Sequence, residues 1–348
     1  MSEYIKSIKI ENYRGIKDLD IKNFKSVNIL VGDNNAGKTS LLEAIQIFLN
    51  PTMYTLSKIA EQRENYKMEI RMNLCDSLYY LFNVKNNFFE IRGNIDNEEK
   101  ILKVEVEKEK IYISKNRISL TNIKNISSNQ EEIFNYRYKI ILNNDEKEFE
   151  INKYSDFYFK VTEPNINVYF LQSIEHIVND SFSELLKDKN TKDKAVKLLK
   201  EFEQDIQDIR YIPRDETYIP VLEINDGNYI PVALYGDGLK KALTMLNAII
   251  KAENGVLLID EYETALHTSV MQKVFKFVAE TAKEQNVQLF LTTHSLEAVD
   301  KFLSTDDDLI DDISIIRLNK KENKTYARIM SGKEAVKNRE EYNMELRV

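Results

Sequence analysis

One stretch of the sequence decides the fold: Gly32-Asp33-Asn34-Asn35-Ala36-Gly37-Lys38-Thr39. It matches the pattern GxxxxGK followed by Ser or Thr, in which a glycine-rich loop wraps around phosphate groups. The apolar segment Val27–Val31 precedes it, and the amphipathic segment Leu41–Leu49 follows it. A strand, a glycine loop and a helix in this order are the context that a phosphate-binding loop requires. The stretch therefore predicts a nucleotide site.

The residue types of this loop suit phosphate binding. Gly32 and Gly37 allow the backbone to curl so that successive N–H groups point inward. Lys38 adds a full positive charge to the partial charge of the helix N-terminus, and the Thr39 hydroxyl can bind Mg²⁺. A plain turn would explain the glycines but not Lys-Thr at this offset. The residues predicted to bind the nucleotide here are Gly32, Asn34, Asn35, Ala36, Gly37, Lys38, Thr39 and Ser40.

A second apolar segment, Val256–Ile259, ends in the acidic pair Asp260-Glu261. Asp260 suits the acid that holds Mg²⁺, and Glu261 suits a general base that polarises the attacking water. Strands also end in solvated acids, but four aliphatic residues before Asp-Glu in a chain with a phosphate loop favour the catalytic interpretation. We therefore predict Thr39 and Asp260 as metal ligands, and Lys38 and Glu261 as catalytic residues.

A histidine follows the next predicted strand, Gln288–Leu291, within the segment Thr292–Ser295. In an open parallel sheet, residues just past the carboxyl ends of the strands face the ligand crevice. A lone histidine is more often structural, but this position favours a contact to the γ-phosphate or to the attacking water. We add His294 to the predicted catalytic residues.

The composition limits the classes of partner. The chain has 348 residues, 43% of them hydrophobic, and a formal net charge of −8, so nucleic acid could bind only at a local basic patch. The candidate patch comprises Lys110, Lys115, Arg117 and Lys124; the alternative is a solvated edge strand whose lysines prevent pairing with another strand.

A single cysteine, Cys75, suits a reducing cytoplasm. The N-terminus lacks the apolar core of a signal peptide, and no uncharged run is long enough to span a membrane.

The pattern along the chain predicts an α/β fold with an inserted β-rich part. Helices and strands alternate in the final third, which is typical of a parallel sheet with covering helices. Short alternating segments, including a hairpin at Asn143–Asp145, predict antiparallel strands in residues 51–165. Apolar residues at helical spacing predict a helical lobe in residues 166–210. We assign residues 1–50 and 211–348 to the nucleotide-binding core.

More than 200 residues separate Lys38 from Asp260, far more than one crossover needs. This arrangement resembles ABC-type P-loop ATPases of the SMC, RecF and OLD group, in which a β-rich piece and a helical lobe separate the two motifs. Further segments carry the resemblance. They are Ile8–Ile16 (a first strand and turn), Asn34 (an asparagine near the γ-phosphate), Tyr235–Lys240 (the signature motif), Glu263–His267 (the D-loop) and Thr293–Ser295 (the switch histidine).

The signature segment departs from the familiar Leu-Ser-Gly-Gly-Gln, because Tyr235 stands where the serine would be. Gly-Asp-Gly forms occur in the OLD-like branch. Gly236 and Gly238 lead into an apolar helix and can present free N–H groups to an anion, whereas Asp237 should point away from it. An ordinary turn before a core helix is the alternative.

The resemblance implies a bound ATP with Mg²⁺, which Arg14 also reaches. It further implies that Gly236 and Gly238 contact the nucleotide of a second copy, giving a head-to-tail homodimer or a higher oligomer that hydrolyses ATP. Only about fifty residues follow His294, too few for the Toprim metal domain of OLD nucleases. We therefore expect a cytoplasmic ATPase that switches a separate effector such as a nuclease, or acts on DNA or RNA, in phage defence or DNA maintenance. The alternative is an ATP-stabilised scaffold subunit with negligible turnover.

Overall fold

The fold is described from a computed structural model, which describes residues 3–64, 74–82, 86–114, 130–155, 166–178, 182–305, 307–322, 324–342 and 345. The strands are β1 (Ile5–Tyr13), β2 (Ile16–Lys22), β3 (Val27–Val31), β4 (Phe88–Ile95), β5 (Glu98–Ser114), β6 (Gln130–Leu142), β7 (Asp145–Asn152), β8 (Asn167–Leu171), β9 (Ile206–Arg214), β10 (Thr217–Ile224), β11 (Tyr229–Pro231), β12 (Gly255–Ile259), β13 (Gln288–Thr292), β14 (Ile313–Lys321) and β15 (Lys324–Ser331). The helices are α1 (Lys38–Leu49), α2 (Met53–Glu64), α3 (Leu74–Tyr79), α4 (Glu175–Val178), α5 (Lys189–Leu199), α6 (Asp237–Lys251), α7 (Thr268–Glu284), α8 (Leu296–Leu303) and α9 (Gly332–Tyr342).

Six strands form a core sheet in the order β15-β14-β3-β13-β12-β8. Neighbouring strands in it run parallel except β14 and β15, which pair antiparallel. Strands β3, β12 and β13 are buried along their full length, as expected for parallel strands covered on both faces. The predicted α/β class with a mixed, mainly parallel core sheet and an antiparallel β part is therefore confirmed.

Side chains alternate between the two faces of the core sheet and so define two apolar layers. Ile29, Leu257 and Ile259 pack with α6, α7 and α8 on one face. Leu30 and Val256 pack with α1 and the antiparallel sheet on the other face. Helix α1 thus lies between the two sheets, and the loop that precedes it emerges at the carboxyl edge of the core sheet.

The antiparallel sheet has the strand order β2-β1-β4-β5-β6-β7. The predicted hairpin is confirmed: β6 and β7 pair around Asn143, which has a positive φ of 53°. Strands β1 and β2 belong to this sheet, and Ile10 lies opposite Ile91 of β4. Strand pairing therefore crosses the predicted boundary at residue 50, because the apolar faces of β1 and β4 are buried together in one layer.

The helical part differs from the sequence expectation at its C-terminal end. Helix α5 begins after Asp188, whose side chain accepts from the N–H groups of Asn190 and Thr191, and it ends at Leu199. Ile206 already starts β9, which pairs with β10 in a three-stranded sheet with β11. Pro213 within β9 could not continue a helix, and the long pairing with β10 outweighs the helical spacing of the apolar residues. Strand β8 falls within residues 166–210, which we assigned to the helical lobe, yet it pairs with β12 in the core sheet. The division of the chain into core, insert and lobe stays a prediction.

Candidate active site

The phosphate loop joins β3 to α1 in a conformation that its glycines permit. Gly32 has a φ of 140°, and a Cβ built on it would lie 2.2 Å from the carbonyl oxygen of Leu318 on β14. Gly37, at the N-cap of α1, has a φ of 102°, and Asn35 adopts a φ of 64°. A side chain at Gly32 would push β14 away from the loop, so the glycine serves packing as well as curvature.

Lys38 lies across this loop. Its Nζ donates to the carbonyl oxygens of Gly32 (2.7 Å) and Asp33 (3.1 Å), and lies 3.3 Å from His294 Nδ1. Burial lowers the pKa of Lys38, while the carboxylates of Asp260 and Glu261 oppose that shift. The ammonium is thus held beside the loop N–H groups, where a phosphate can accept from both.

The Asp260 carboxylate accepts hydrogen bonds from two hydroxyl groups, one in the first turn of α1 and one at the end of β13. Thr39 Oγ1 lies 3.1 Å from Asp260 Oδ2, and Thr292 Oγ1 donates to Asp260 Oδ1 at 2.6 Å. The same Thr292 hydroxyl accepts from the Glu261 N–H at 2.8 Å. Thr292 therefore ties both acids after β12 to the end of β13, a role that the sequence did not reveal.

The donors near Thr39 fit Mg²⁺. A hydroxyl and a carboxylate oxygen at 3.1 Å are close enough to contact one ion, and both are the hard oxygen ligands that Mg²⁺ prefers. Among the described residues, no group of three or more His, Cys, Asp and Glu side chains could hold a metal. Mg²⁺ typically uses one or two protein carboxylates together with phosphate oxygens and water, so this sparse donor set suits it.

Glu261 and His294 face each other at the mouth of the site. Glu261 Oε1 lies 4.0 Å from His294 Nε2, and the side chains are 43% and 39% exposed, respectively. The backbone N–H of His294 donates to Glu263 Oε1 at 3.1 Å, and Thr264 Oγ1 donates to Glu261 Oε2 at 3.3 Å. A carboxylate and an imidazole at this separation, open to solvent, can hold a water molecule for attack on a phosphate.

A groove with a volume of about 740 Å³ opens over the loop. Besides loop residues 34–40, it is lined by Arg14, Gly15, Arg63, His294, Lys320 and Thr325. Together with Lys38, four cationic side chains of the described residues thus line one cavity, which suits a polyphosphate. The predicted Arg14 lies here, whereas Arg63 on α2 and Lys320 and Thr325 of the β14–β15 hairpin were missed. No motif marked them, because only the fold brings these elements to the loop.

A buried carboxylate orients both arginines of this lining. Glu43 of α1 is 3% exposed in its side chain and accepts from Arg63 Nε at 2.5 Å. Glu43 Oε2 lies 3.6 Å from Arg14 Nη1 and accepts from the Tyr13 hydroxyl at 3.2 Å. Glu43 therefore holds both guanidinium groups at the wall of the groove while neutralising part of their charge.

The predicted signature residues lie apart from the described lining of this groove. Gly236 caps α6 and Gly238 is in its first turn, where a Cβ would meet the carbonyl oxygen of Ala265 at 3.0 Å. Asp237 forms an ion pair with Lys240 at 2.7 Å and is 56% exposed. The structure therefore brings the phosphate loop, the acids and His294 together but leaves the role of Gly236 and Gly238 a prediction.

The other sequence expectations concern surfaces. Lys110 forms an ion pair with Glu132 on the neighbouring strand at 2.7 Å, while Lys115, Arg117 and Lys124 lie outside the described residues, so the basic patch stays a prediction. In the described part of the chain, we find no helix with the length and hydropathy needed to cross a bilayer.

Comparison with known proteins yields relatives along most of the chain. The family model described as "AAA domain, putative AbiEii toxin, Type IV TA system" matches residues 27–300. A Helicobacter pylori protein named ATP/GTP phosphatase is 27% identical over 327 residues, which cover 85% of this chain and 86% of that protein. The DNA replication and repair protein RecF of Rickettsia massiliae is 38% identical over 58 residues, 17% of this chain and 16% of that protein.

Solved structures share the fold at low sequence identity. An Smc head bound to the C-winged helix domain of ScpA has a TM-score of 0.54 at 14% identity, covering 96% of this chain and 100% of that one. An Smc head with an extended coiled coil, bound to the C-terminal domain of ScpA from Pyrococcus furiosus, has a TM-score of 0.51 at 13% identity, covering 98% and 100%. With the family match over most of its length, this chain belongs to the AAA domain family described as putative AbiEii toxin, Type IV TA system, and is an ABC-type P-loop ATPase similar to those of the SMC, RecF and OLD group.

Proposed function

We propose that this chain binds ATP with Mg²⁺, hydrolyses it, and uses the resulting change of state to switch a separate effector. The observation that carries the proposal is the convergence of three chemical groups at the carboxyl edge of the core sheet. They are the Lys38 ammonium, the oxygen pair of Thr39 and Asp260, and the Glu261 carboxylate beside His294. A site that only bound phosphate would not need a carboxylate and an imidazole at that place.

Each group has a role that its geometry supports. The loop N–H groups and Lys38 bind the phosphates, and Mg²⁺ held by Thr39 and Asp260 would neutralise charge on the phosphate oxygens. Glu261 accepts a proton from the attacking water. His294, 4.0 Å from Glu261, orients that water or donates to the γ-phosphate.

The proposed dimer rests on the placement of Gly236 and Gly238. They begin α6, where N–H groups can bind an anion, yet they lie outside the described lining of the groove around Lys38. We propose that they contact the γ-phosphate held by a second copy of the chain. Two equivalent sites then form in a head-to-tail dimer, which ATP closes and hydrolysis opens.

The proposed effector is a separate protein in the cytoplasm, such as a nuclease, acting in phage defence or DNA maintenance. The name of the Helicobacter pylori relative, ATP/GTP phosphatase, supports hydrolysis of a nucleoside triphosphate by this chain. The Smc head bound to a domain of ScpA supports the idea that a head of this fold can carry a protein partner. DNA or RNA is the proposed trigger or target.

The alternative function is a scaffold that binds ATP to hold an assembly together and turns over negligibly. Both functions predict that ATP binding is largely lost in Lys38→Ala. They differ for Glu261→Gln, which should lose phosphate release and trap an ATP-bound dimer if the chain is a hydrolysing switch. For the scaffold, Glu261→Gln should change little.

The test measures phosphate release and, by light scattering after size exclusion, the molar mass with ATP and Mg²⁺. Glu253→Gln is the matched control, because it removes the same charge from an exposed loop before β12. Loss of turnover with a stable dimer in Glu261→Gln alone supports the proposal. A wild-type chain without phosphate release, even with DNA and a co-purified partner, would refute hydrolysis.

A further inference from the structure

Lys241 is a fully buried lysine on α6. Its relative exposure is 0%, and it is among the largest side chains that the described core encloses completely. Burial lowers the pKa of this ammonium from its usual 10.5 to about 8, with nearby carboxylates opposing the shift. Lysine is almost never fully buried unless it is paired, so this position calls for a specific reason.

The Lys241 ammonium binds the backbone at the ends of two neighbouring core strands. Its Nζ lies 3.2 Å from the Ser173 carbonyl oxygen and 3.4 Å from the Glu261 carbonyl oxygen. Ser173 follows β8, and Glu261 follows β12, its neighbour in the sheet. One side chain therefore connects α6 to the strand end that carries the predicted catalytic base.

The carboxylates around Lys241 belong to the same region. Glu263 attracts the ammonium most strongly, followed by Asp260, Glu261 and Glu175. Glu263 Oε2 is buried and has no hydrogen-bond partner among the described residues, while its Oε1 accepts from the backbone N–H of His294. The charge of Lys241 thus compensates a buried carboxylate that supports the histidine of the site.

The backbone of Glu261 needs such support. Glu261 has a φ of 49°, a left-handed conformation that is unfavourable for a non-glycine residue. Its N–H is held by Thr292 Oγ1 and its carbonyl oxygen by Lys241 Nζ, so both sides of the residue are anchored. This backbone geometry directs the carboxylate toward His294.

We propose that Lys241 is a positioning residue for hydrolysis, which holds the main chain of Glu261 from within the core and couples it to helix α6. The proposal rests on the proposed function, because it assumes that Glu261 acts on water. Since Gly236 is the N-cap of α6, a shift of this helix when an anion binds its N-terminus moves the anchor of Glu261. The chemical step at one site is thereby linked to the occupancy of the helix terminus.

The test replaces Lys241 by methionine, which matches the length of the apolar stem but removes the charge and the donors. We expect kcat for phosphate release to fall at least about tenfold while the KM for ATP stays within about threefold, because Lys38 and the loop are untouched. Lys251→Met, at the far end of the same helix, is the matched control and should keep wild-type kinetics.

The outcomes separate this inference from the proposed function. If the wild type turns over and Glu261→Gln does not, a folded Lys241→Met with kcat within about threefold of wild type overturns the inference alone. A wild type without turnover overturns both. If Lys241→Met melts below the assay temperature, Lys241→Gln, which keeps a donor, is judged by the same criteria. Unfolding of both variants overturns the positioning role in favour of a purely structural one.

Discussion

The substitution Thr292→Val tests whether one hydroxyl holds the two acids of the site in place. Thr292 is fully buried, and valine has nearly the same shape but no hydrogen-bonding group. The hydroxyl donates to Asp260 at 2.6 Å and accepts from the Glu261 N–H at 2.8 Å. Thr292→Val removes both bonds at once without opening a large cavity.

The magnitude follows from these two bonds. A hydrogen bond to an ionised carboxylate contributes about 1.5–3 kcal/mol, and a neutral one about 0.5–1.5 kcal/mol. The free energy of unfolding of Thr292→Val should therefore fall by about 2–4 kcal/mol. Turnover should fall as well, because Asp260 and Glu261 both lose a fixed partner.

The assay is urea unfolding monitored by circular dichroism, with Thr305→Val as the matched control. The Thr305 hydroxyl donates to the Phe302 carbonyl oxygen at 2.8 Å, and that oxygen also accepts from the Thr305 N–H. Since the carbonyl keeps one donor, Thr305→Val should cost only about 0.5–1 kcal/mol. A loss in Thr292→Val no larger than in Thr305→Val would refute the reasoning.

Three further predictions concern buried charge. Lys38→Met should raise the Kd for ATP about 30- to 100-fold, the loss of about 2–3 kcal/mol of charge-assisted contact, as measured by calorimetry. Lys333→Met, at an exposed ion pair, should bind like wild type, and an equal Kd in both variants would contradict the prediction. Glu43→Gln should lower the free energy of unfolding by about 2 kcal/mol, because two guanidinium groups lose their buried anion, and unchanged urea unfolding would argue against this. Burial holds the pKa of Lys241 at about 8 against 10.5 in the unfolded chain, so the unfolded chain binds more protons between these pH values. Between about pH 7.5 and about pH 10.5, the free energy of unfolding of the wild type should thus rise by about 3 kcal/mol relative to that of Lys241→Met. A difference between the two proteins that does not change with pH would contradict this.

The sequence predicted those parts of the site that consist of short contiguous motifs. The phosphate loop, Asp260-Glu261 and His294 each follow an apolar strand, and parallel strands place their carboxyl ends at one edge. The structure accordingly brings Lys38 within 3.3 Å of His294 although 256 positions separate them. Helical structure was predicted up to residue 210, but residues 206–210 lie in β9, because pairing of β9 with β10 outweighed a local apolar spacing.

By itself, then, the sequence determined that this chain is a P-loop ATPase, because phosphate and Mg²⁺ require particular residue types at fixed short spacings. Only the tertiary structure decided which other groups serve that site. In the sequence, nothing distinguishes Arg63 and Lys320 from other charged residues of a protein surface. They line the groove because α2 and the β14–β15 hairpin pack next to the phosphate loop. Thr292 and Lys241 acquire their roles from burial beside Asp260 and Glu261, and burial depends on contacts between residues far apart in the chain.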